Sequence, residues 1–289
     1  MNNHRAKRIK NWLYSTLMIA YLSLAVVNAR VVELTPGVGG IDWSESVIRV
    51  SGIGHATPYT PPGRRIENAK KNARGDLKKN LLNLLKKIRW DAENLVSDIT
   101  KPDPRIDSSI VDISDKISII DVRYIDNGNI EMDAQMQLKY AFQWYPPAIS
   151  DSQLHKHPPD STRRAADDML ISEINWEGYG GIIIDARQLG ANPALFPKIM
   201  DETGNILYDV TMVKREFLYQ YGMVGYADTP AAAKNQKRIS GKSLLIRAKS
   251  ATGKYVADLV VGSAGARKIR AASQSSSLLR EGKVVIIIE

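Results

Sequence analysis

The chain has 289 residues, of which 44% are hydrophobic and 25% are charged, an ordinary composition for a globular protein of one or two domains. It carries 40 basic and 31 acidic residues, a net charge of +9, and no cysteine. The lack of cysteine excludes disulfides, cysteine-ligated metal sites and anchoring through a lipid-modified N-terminal cysteine.

Residues 1–29 have the three-part layout of a secretory signal. Four basic residues precede an apolar run from Leu13 to Val27, and the segment closes on Val27-Asn28-Ala29. The run is about 15 residues long, shorter than the ~20 residues that span a bilayer. We therefore expect cleavage after Ala29, with retention as a membrane anchor as the alternative. Cleavage removes four basic residues and no acidic residue, which leaves 36 basic and 31 acidic residues, or +5. So small a charge gives little support to a nucleic-acid partner.

A first α+β domain is predicted over residues 46–145, after an N-terminal lead at 30–45 that is expected to be a loop because a proline and three glycines interrupt it. Alternating apolar and polar residues predict a strand at 47–54. Apolar residues at spacings of three and four then predict one long helix over 64–97.

A β-hairpin is predicted to complete this domain. Asn127-Gly128 is a strong hairpin-turn signal, because both residue types accept positive φ. The residues that follow alternate over 130–138, which indicates a strand with one buried and one wet face. We expect this strand to be a free edge at which another subunit could add.

A polar, proline-containing linker is predicted at 146–173 and a second α+β domain at 174–289. The second domain is expected to be a mainly antiparallel sheet with a short helix near 264–272. Asp201-Glu202-Thr203-Gly204-Asn205 reads as a hairpin turn. The last strand, at 283–289, is apolar on both faces and is expected to lie inside the sheet. The fold class is thus α+β with two small modules.

The predicted helix is strongly basic, with ten basic and two acidic residues between Arg64 and Arg89. One interpretation is a face that binds anions, such as a phosphate-rich envelope polymer or lipid head groups. The other is a solvated outer face of a helix that packs on the hairpin. The candidate anion-binding residues are Lys70, Lys71, Lys78, Lys79, Lys86 and Lys87.

No catalytic, cofactor-binding or metal-binding residue is predicted. His155 and His157, with Asp151 and Asp160, lie beside prolines, which favours a polar linker over a metal site. Gly52-Ile53-Gly54 lacks the third glycine and the following helix of a dinucleotide loop.

Two further motifs, a phosphate-binding loop and a nucleophile elbow, are incomplete or absent. Ser240-Gly241-Lys242-Ser243 lacks the upstream glycine of a phosphate loop and leads into a strand. No Gly-x-Ser-x-Gly elbow occurs.

The order of elements from 45 to 144 resembles the lipoprotein-20 family of Gram-negative envelopes. The resemblance is carried by the strand ending Val50-Ser51-Gly52-Ile53-Gly54, by the long helix with Ala69, Ala73, Leu77 and Leu81, and by the hairpin. It implies assembly or scaffolding, in some members around the flagellum, with no catalytic residues. The family commonly carries a lipidated cysteine, which this chain lacks, so lipid anchoring does not carry over.

The second domain also resembles a module that follows such domains in proteins of unknown function. The resemblance is carried by Asp185-Ala186-Arg187-Gln188-Leu189-Gly190, by Pro193 to Ile199 and by Asp201-Glu202-Thr203-Gly204.

The sequence therefore predicts an exported, non-enzymatic protein of the cell envelope, located in the periplasm, with peripheral association with the outer membrane as an option. Its expected role is structural or in assembly, and a flagellum-associated role is the most specific version. The expected partners are envelope proteins or further copies of the chain, with no nucleic acid, no cofactor and no membrane span in the mature protein. The alternative is a module that binds an anionic envelope polymer or lipid head groups through the basic helix.

Overall fold

The computed structural model of the protein describes residues 30–56, 61–100, 116–125, 128–144 and 176–289. The predicted signal at 1–29 lies outside the described residues, and so does the whole of the predicted linker at 146–173. The described chain has helices and two β-sheets, as the predicted α+β class requires.

The first sheet has five antiparallel strands in the order β1-β2-β3-β5-β4. One long helix, α1, packs on one face of the sheet, and a short helix, α2, follows it. Their bounds are β1 Val32–Thr35, β2 Gly39–Asp42, β3 Val47–Gly54, α1 Arg65–Lys87, α2 Val96–Thr100, β4 Ser118–Ile125 and β5 Asn129–Gln137. The predicted strand at 47–54 and the predicted hairpin are confirmed.

The prediction of a loop at 30–45 is wrong, because this segment forms the hairpin β1–β2. Gly39 and Gly40 serve close strand packing. A Cβ on Gly39 would lie 2.1 Å from the Arg49 carbonyl oxygen, and one on Gly40 would lie 2.5 Å from the Glu33 carbonyl oxygen. A cluster of glycines that reads as a loop in sequence thus marks strands whose backbones approach closely.

Gly52 and Gly54 bring α1 against β3. A Cβ on Gly54 would lie 1.9 Å from the Ala69 carbonyl oxygen, and one on Gly52 would lie 2.5 Å from the Leu77 backbone nitrogen. The apolar stripe of α1, which includes the buried Ala69, Ala73, Leu77 and Leu81, covers β3 and β5. The two glycines therefore serve helix–sheet packing.

The predicted single helix over 64–97 is wrong at its C-terminal end. The helix α1 ends at Lys87, and residues 88–95 form an irregular segment before α2. This segment binds the second half of the chain through its backbone. The carbonyls of Arg89 and Trp90 accept from the N–H groups of Leu195 and Phe196, each at 2.9 Å. A helix would have used those carbonyls internally.

The second sheet has seven strands in the order β8-β7-β11-β10-β6-β12-β9. Three helices of five or more residues lie between its strands. The bounds are β6 Tyr179–Asp185, β7 Ile199–Asp201, β8 Ile206–Tyr208, α3 Arg215–Tyr221, β9 Gly225–Ala227, α4 Pro230–Lys234, β10 Lys242–Thr252, β11 Asp258–Val261, α5 Ser263–Ser275 and β12 Val284–Ile287.

The prediction that this sheet is mainly antiparallel is wrong. Among the described strands, four of its six pairings are parallel, and only β10–β11 and β7–β8 are antiparallel. All four residues of β12 are buried, and β12 lies between β6 and β9, as its apolar sequence predicts. Parallel strands of this kind are buried on both faces, which explains their continuous apolar runs.

The two sheets share one hydrophobic core. The Trp90 ring packs edge-on against Phe196 with 4.7 Å between centroids, and Trp43 packs edge-on against Tyr226 at 5.6 Å. Arg89 pairs with Glu33 and also donates to the Pro193 carbonyl at 3.2 Å. The division into domains at 46–145 and 174–289 stays a prediction, and the two parts are joined by packed contacts.

Candidate functional site

The first sheet has two edge strands, β1 and β4, and β4 is the longer of the two. The prediction that residues 130–138 form a free edge is wrong, because β5 lies between β3 and β4. The helix α1 packs mainly on β3 and β5, and Val122 is the one residue of β4 that is partly buried. The large apolar side chains of β4 are accordingly exposed: Ile119 at 40%, Ile120 at 51%, Tyr124 at 63% and Ile125 at 43%.

The Val122 N–H and the charged side chains of β4 have local partners. The Val122 N–H donates to Oδ1 of Asp121 at 2.9 Å. Asp121 also pairs with Arg123, which reaches across to Glu131 at 3.1 Å and to Asp133 at 2.7 Å. Side-chain acceptors of this kind satisfy an edge donor in the absence of a neighbouring strand.

Arg123 lies at the centre of this charge cluster. Hydrogen bonds to Asp133, Glu131 and Asp121 raise the pKa of Arg123. Desolvation works to raise the pKa of Asp133, but hydrogen bonds from Arg123 and Ser51 outweigh it and hold that pKa below its ordinary value. Because the cluster is exposed, we expect it to orient these side chains and to contribute little to the free energy of folding.

The six lysines named as candidate anion-binding residues all lie on α1. Successive pairs are eight residues apart, which is about 12 Å along a helix. The Lys70 ammonium lies over the Tyr124 ring at 5.7 Å from its centroid. Lys86 and Lys87 line a surface groove of about 400 Å³ together with Asn83 and Ser97. The lysines therefore follow the length of the helix and do not converge on one small ligand.

A larger open groove runs beside β1 and the loop that follows it. Its volume is about 440 Å³, and its lining mixes exposed apolar side chains such as Leu34 and Ile53 with Arg49 and Asp76. Leu34 is 77% exposed. The buried Asp42 accepts from Arg49 at 3.2 Å and from Arg30 at 3.4 Å. The charged residues at the floor are thus paired within the chain.

A smaller polar cluster lies where β6 ends. Arg187 binds the Asp185 carboxylate with two nitrogens, at 2.7 and 2.9 Å, and these hydrogen bonds lower the pKa of Asp185. Arg247, Gln188 and Glu289 line the same pocket of about 270 Å³. Two basic and two acidic residues balance each other here, which favours a structural role.

The motifs that suggested nucleotide binding have structural roles. Gly52 and Gly54 contact the helix backbone as described above. Gly241 adopts a φ of +64° and Lys242 begins β10, so the Ser240–Ser243 segment leads into a strand rather than a helix. Neither segment offers the helix N-terminus that would hold a phosphate.

In the part of the chain that the structure describes, histidine and acidic side chains nowhere gather in a group of three that would hold a metal ion. His155, His157, Asp151 and Asp160 lie outside the described residues. Within those residues, every helix falls short of the length and apolarity that crossing a bilayer requires.

Comparison with known proteins concerns the second sheet. Residues 181–289 match a family model described as Treponema pallidum Tp0624, second domain. The match begins within β6 and reaches the last residue, so it spans nearly all of the second sheet. A comparison with curated proteins finds no match. The second sheet is therefore similar to that family, whereas the exposed edge β4 lies outside the matched residues. The resemblance of 46–145 to the lipoprotein-20 family stays a prediction.

The residues that distinguish β4 were missed in the sequence. In β4, the doublets Ile119-Ile120 and Tyr124-Ile125 indicate apolar side chains on both faces of the strand. In β5, by contrast, apolar and polar residues alternate. Such doublets in a hairpin strand are the available signal of an edge that is not fully covered. The order of strands, which the sequence does not show, decides whether the side chains are buried.

Proposed function

We propose that the chain is an exported, non-enzymatic protein of the cell envelope that acts in assembly, and that it binds its partner through the free edge β4. The export signal predicted at 1–29 supports a periplasmic location. A flagellum-associated role is the more specific version, and its support is the resemblance of 46–145 to the lipoprotein-20 family. The grooves on the described surface are open, and their charged residues are largely paired within the chain, which favours binding over catalysis.

The exposed apolar edge carries the proposal. Ile120 and Tyr124 are each more than half exposed on a strand at the edge of its sheet. Large apolar side chains on an open edge strand promote aggregation of a monomer, because the unpaired backbone groups of the edge can pair with another strand. A partner that adds a strand here gains main-chain hydrogen bonds and covers these side chains.

Photochemical crosslinking in cells tests this proposal. A photoreactive phenylalanine analogue at Tyr124 is expected to give adducts with an envelope protein on irradiation, identified by mass spectrometry. The control position is Leu245, which is 51% exposed but lies on β10, inside the second sheet. Adducts at 124 and none at 245 support binding at the edge. No adduct at 124, or equal adducts at both positions, would overturn it.

A second candidate function is binding of an anionic envelope polymer along α1. The groove lined by Lys86 and Lys87 favours this candidate, because it places two cations beside the polar Asn83 and Ser97. An extended polymer also suits pairs of lysines spread along a helix. Binding through exposed lysines is expected to weaken steeply with salt, since exposed charges are screened within about 8–10 Å at moderate ionic strength.

Polyphosphate is a suitable probe for this second candidate. The double variant Lys86→Gln, Lys87→Gln is expected to weaken polyphosphate binding in a filter or fluorescence assay. The matched variant Lys70→Gln, Lys71→Gln removes the same charge outside the groove. Equal loss in both variants would indicate nonspecific attraction, and binding that does not respond to salt would contradict this candidate.

A further inference from the structure

We propose that the partner of β4 is the β4 strand of a second copy of this chain, added antiparallel about a two-fold axis at Val122. The inference rests on the proposed function and names its partner. Two five-stranded sheets would then form one continuous sheet of ten strands, with α1 of each copy on the same face.

Symmetry restricts the registers that are possible. Two antiparallel strands in one sheet are related by a two-fold axis perpendicular to the sheet, so the axis passes beside a single residue of each strand. An axis at Asp121 places Asp121 opposite its own copy, and an axis at Arg123 does the same for Arg123. Like charges directly opposite each other destabilise a sheet.

The register centred on Val122 pairs unlike charges. It places Asp121 of each copy opposite Arg123 of the other, and it places Ile120 opposite Tyr124. The bulge in β4 lies at Ile120, which has no partner on β5, so the regular register begins at Asp121 and the Ile120–Tyr124 contact lies at the margin of the pairing. All four outer pairs are therefore either oppositely charged or apolar, and the strand is complementary to itself.

The side chains needed for this pairing are in position. Asp121 and Arg123 lie opposite Asp133 and Glu131 of β5, so both project from the sheet face away from α1. Ile120 and Tyr124 are exposed, and Lys70 contacts the Tyr124 ring from α1. Ile66, 49% exposed, lies one helical turn from Lys70 on the same side of α1. In the pair, Tyr124 and Ile66 of the two copies would lie between the two helices.

The pairing also has a local cost. Asp121 now accepts from the Val122 N–H, and Arg123 is shared among Asp121, Glu131 and Asp133. On pairing, the Val122 N–H would donate to the backbone of the second copy. The Asp121 carboxylate would turn to Arg123 of that second copy. Because groups already satisfied are exchanged for equivalent ones, we expect a reversible dimer that depends on concentration.

A single cysteine tests the register, since the chain has none of its own. The two-fold axis puts the α-carbons of residue 122 about 4.5–5.5 Å apart, within the range that a disulfide bridges. Val122→Cys is therefore expected to give a disulfide-linked dimer on mild oxidation. In Tyr124→Cys the two α-carbons would lie about 13 Å apart, four residues along the strands, so no disulfide is expected. Both variants are produced with residues 1–29 in a Gram-negative host and purified as the host processes them.

Charge exchange provides a second test. Asp121→Arg places arginines opposite each other, and Arg123→Asp does so with aspartates, so each variant is expected to dimerise at least about tenfold more weakly in sedimentation velocity. A mixture of the two variants restores unlike pairs and is expected to form a heterodimer. Recovery in the mixture shows that neither variant failed merely by unfolding.

The outcomes separate this inference from the proposed function. A linked dimer with Val122→Cys and none with Tyr124→Cys supports the inference. A protein that stays monomeric, without linkage at 122, overturns it. If crosslinking from position 124 then captures a different envelope protein, assembly through the edge stands. If it captures nothing, both proposals fail.

Discussion

The two sheets differ in how far their edge strands are buried. In the second sheet, the edge strand β9 is buried along its whole length, as is the central strand β12. In the first sheet, β4 has one partly buried residue and seven exposed ones. A mainly parallel sheet needs cover on both faces, whereas an antiparallel sheet can leave a face or an edge to water. We infer that the second sheet is the stable support and that the first sheet carries the surface for binding.

The junction between the sheets gives the largest expected effect. Trp90→Ala removes a buried ring that packs on Phe196, and we expect the free energy of unfolding to fall by about 4 kcal/mol. Because the ring joins both parts, amide hydrogen exchange should rise in β3 and in β6. Urea titration and hydrogen exchange measure the two effects.

The control for this junction is Leu245→Ala, which removes an exposed side chain from β10 and is expected to cost less than about 1 kcal/mol. Exchange that rises in the first sheet alone would show that the second sheet is stable without the junction. The two sheets would then be independent domains, and the second sheet would not act as the support of the first.

The close approach of α1 and β3 gives the next effect. Gly54→Ala would place a Cβ 1.9 Å from the Ala69 carbonyl oxygen and 2.4 Å from the Ala73 nitrogen. Both contacts are with backbone, so the helix must move, at an expected cost of about 3 kcal/mol in a urea titration.

Gly75→Ala is the matched variant on the outer side of the same helix. No atom lies within 4 Å of its added Cβ, so we expect a gain of about 1 kcal/mol from helix propensity. Opposite signs at the two positions indicate that Gly54 is required by packing. A neutral result for Gly54→Ala would contradict the close approach that positions β4 beyond the helix.

A buried cation tests the support itself. Arg238 is buried and donates to the carbonyls of Tyr221, Gly222 and Gly282, and burial lowers the pKa of Arg238 to about 10. Two of these carbonyls lie at the end of α3, whose dipole favours a cation. Arg238→Met leaves the carbonyls without this donor, and we expect a loss of about 2 kcal/mol in thermal or urea unfolding.

The exposed Arg267, on α5, provides the control for this loss, because Arg267→Met removes the same charge from the surface. A similar loss in both variants would indicate an effect of net charge. A loss confined to Arg238→Met shows that the stability of the second sheet depends on this internal polar contact.

Local patterns predicted β3 and the β4–β5 hairpin of the first sheet, but not β1 and β2, because alternation and a turn signal are properties of neighbouring residues. The end of α1 was not predictable in this way. Ala92 and Leu95 continue the helical spacing, yet the carbonyls of Arg89 and Trp90 accept from residues more than 100 positions away. A long-range contact there overrides a weak local preference.

The same reason explains the errors in the second sheet and at the free edge. The apolar sequence of β12 predicted a central strand, which is confirmed, but it did not show that β6 and β9 pair with it in parallel. In the first sheet the sequence of β5 predicted a strand, and the strand order then placed β4 outside it. The candidate site depends on that order, so local pattern alone could not locate it.

The smallest expected effect is a dependence on acid that belongs to the second sheet. Asp201, the last residue of β7, accepts from the backbone and side chain of Thr203 and Asn205 and pairs with Arg270 of α5. Desolvation acts to raise its pKa, but the hydrogen bonds from Asn205 and Thr203 outweigh it and hold the pKa of Asp201 well below its ordinary value. A carboxylate whose pKa is lowered by folding stabilises the protein above its unfolded pKa, near 4, and this contribution is lost as the pH falls below that value.

Asp201→Asn is therefore expected to unfold more easily at neutral pH and to show a flatter decline of stability between about pH 4 and pH 2, measured by urea titration at each pH. Glu45→Gln, which removes an exposed carboxylate from the first sheet, is the control. Should the two variants decline with equal steepness, the acid sensitivity would not arise from Asp201, and the second sheet would owe its stability to apolar burial and Arg238.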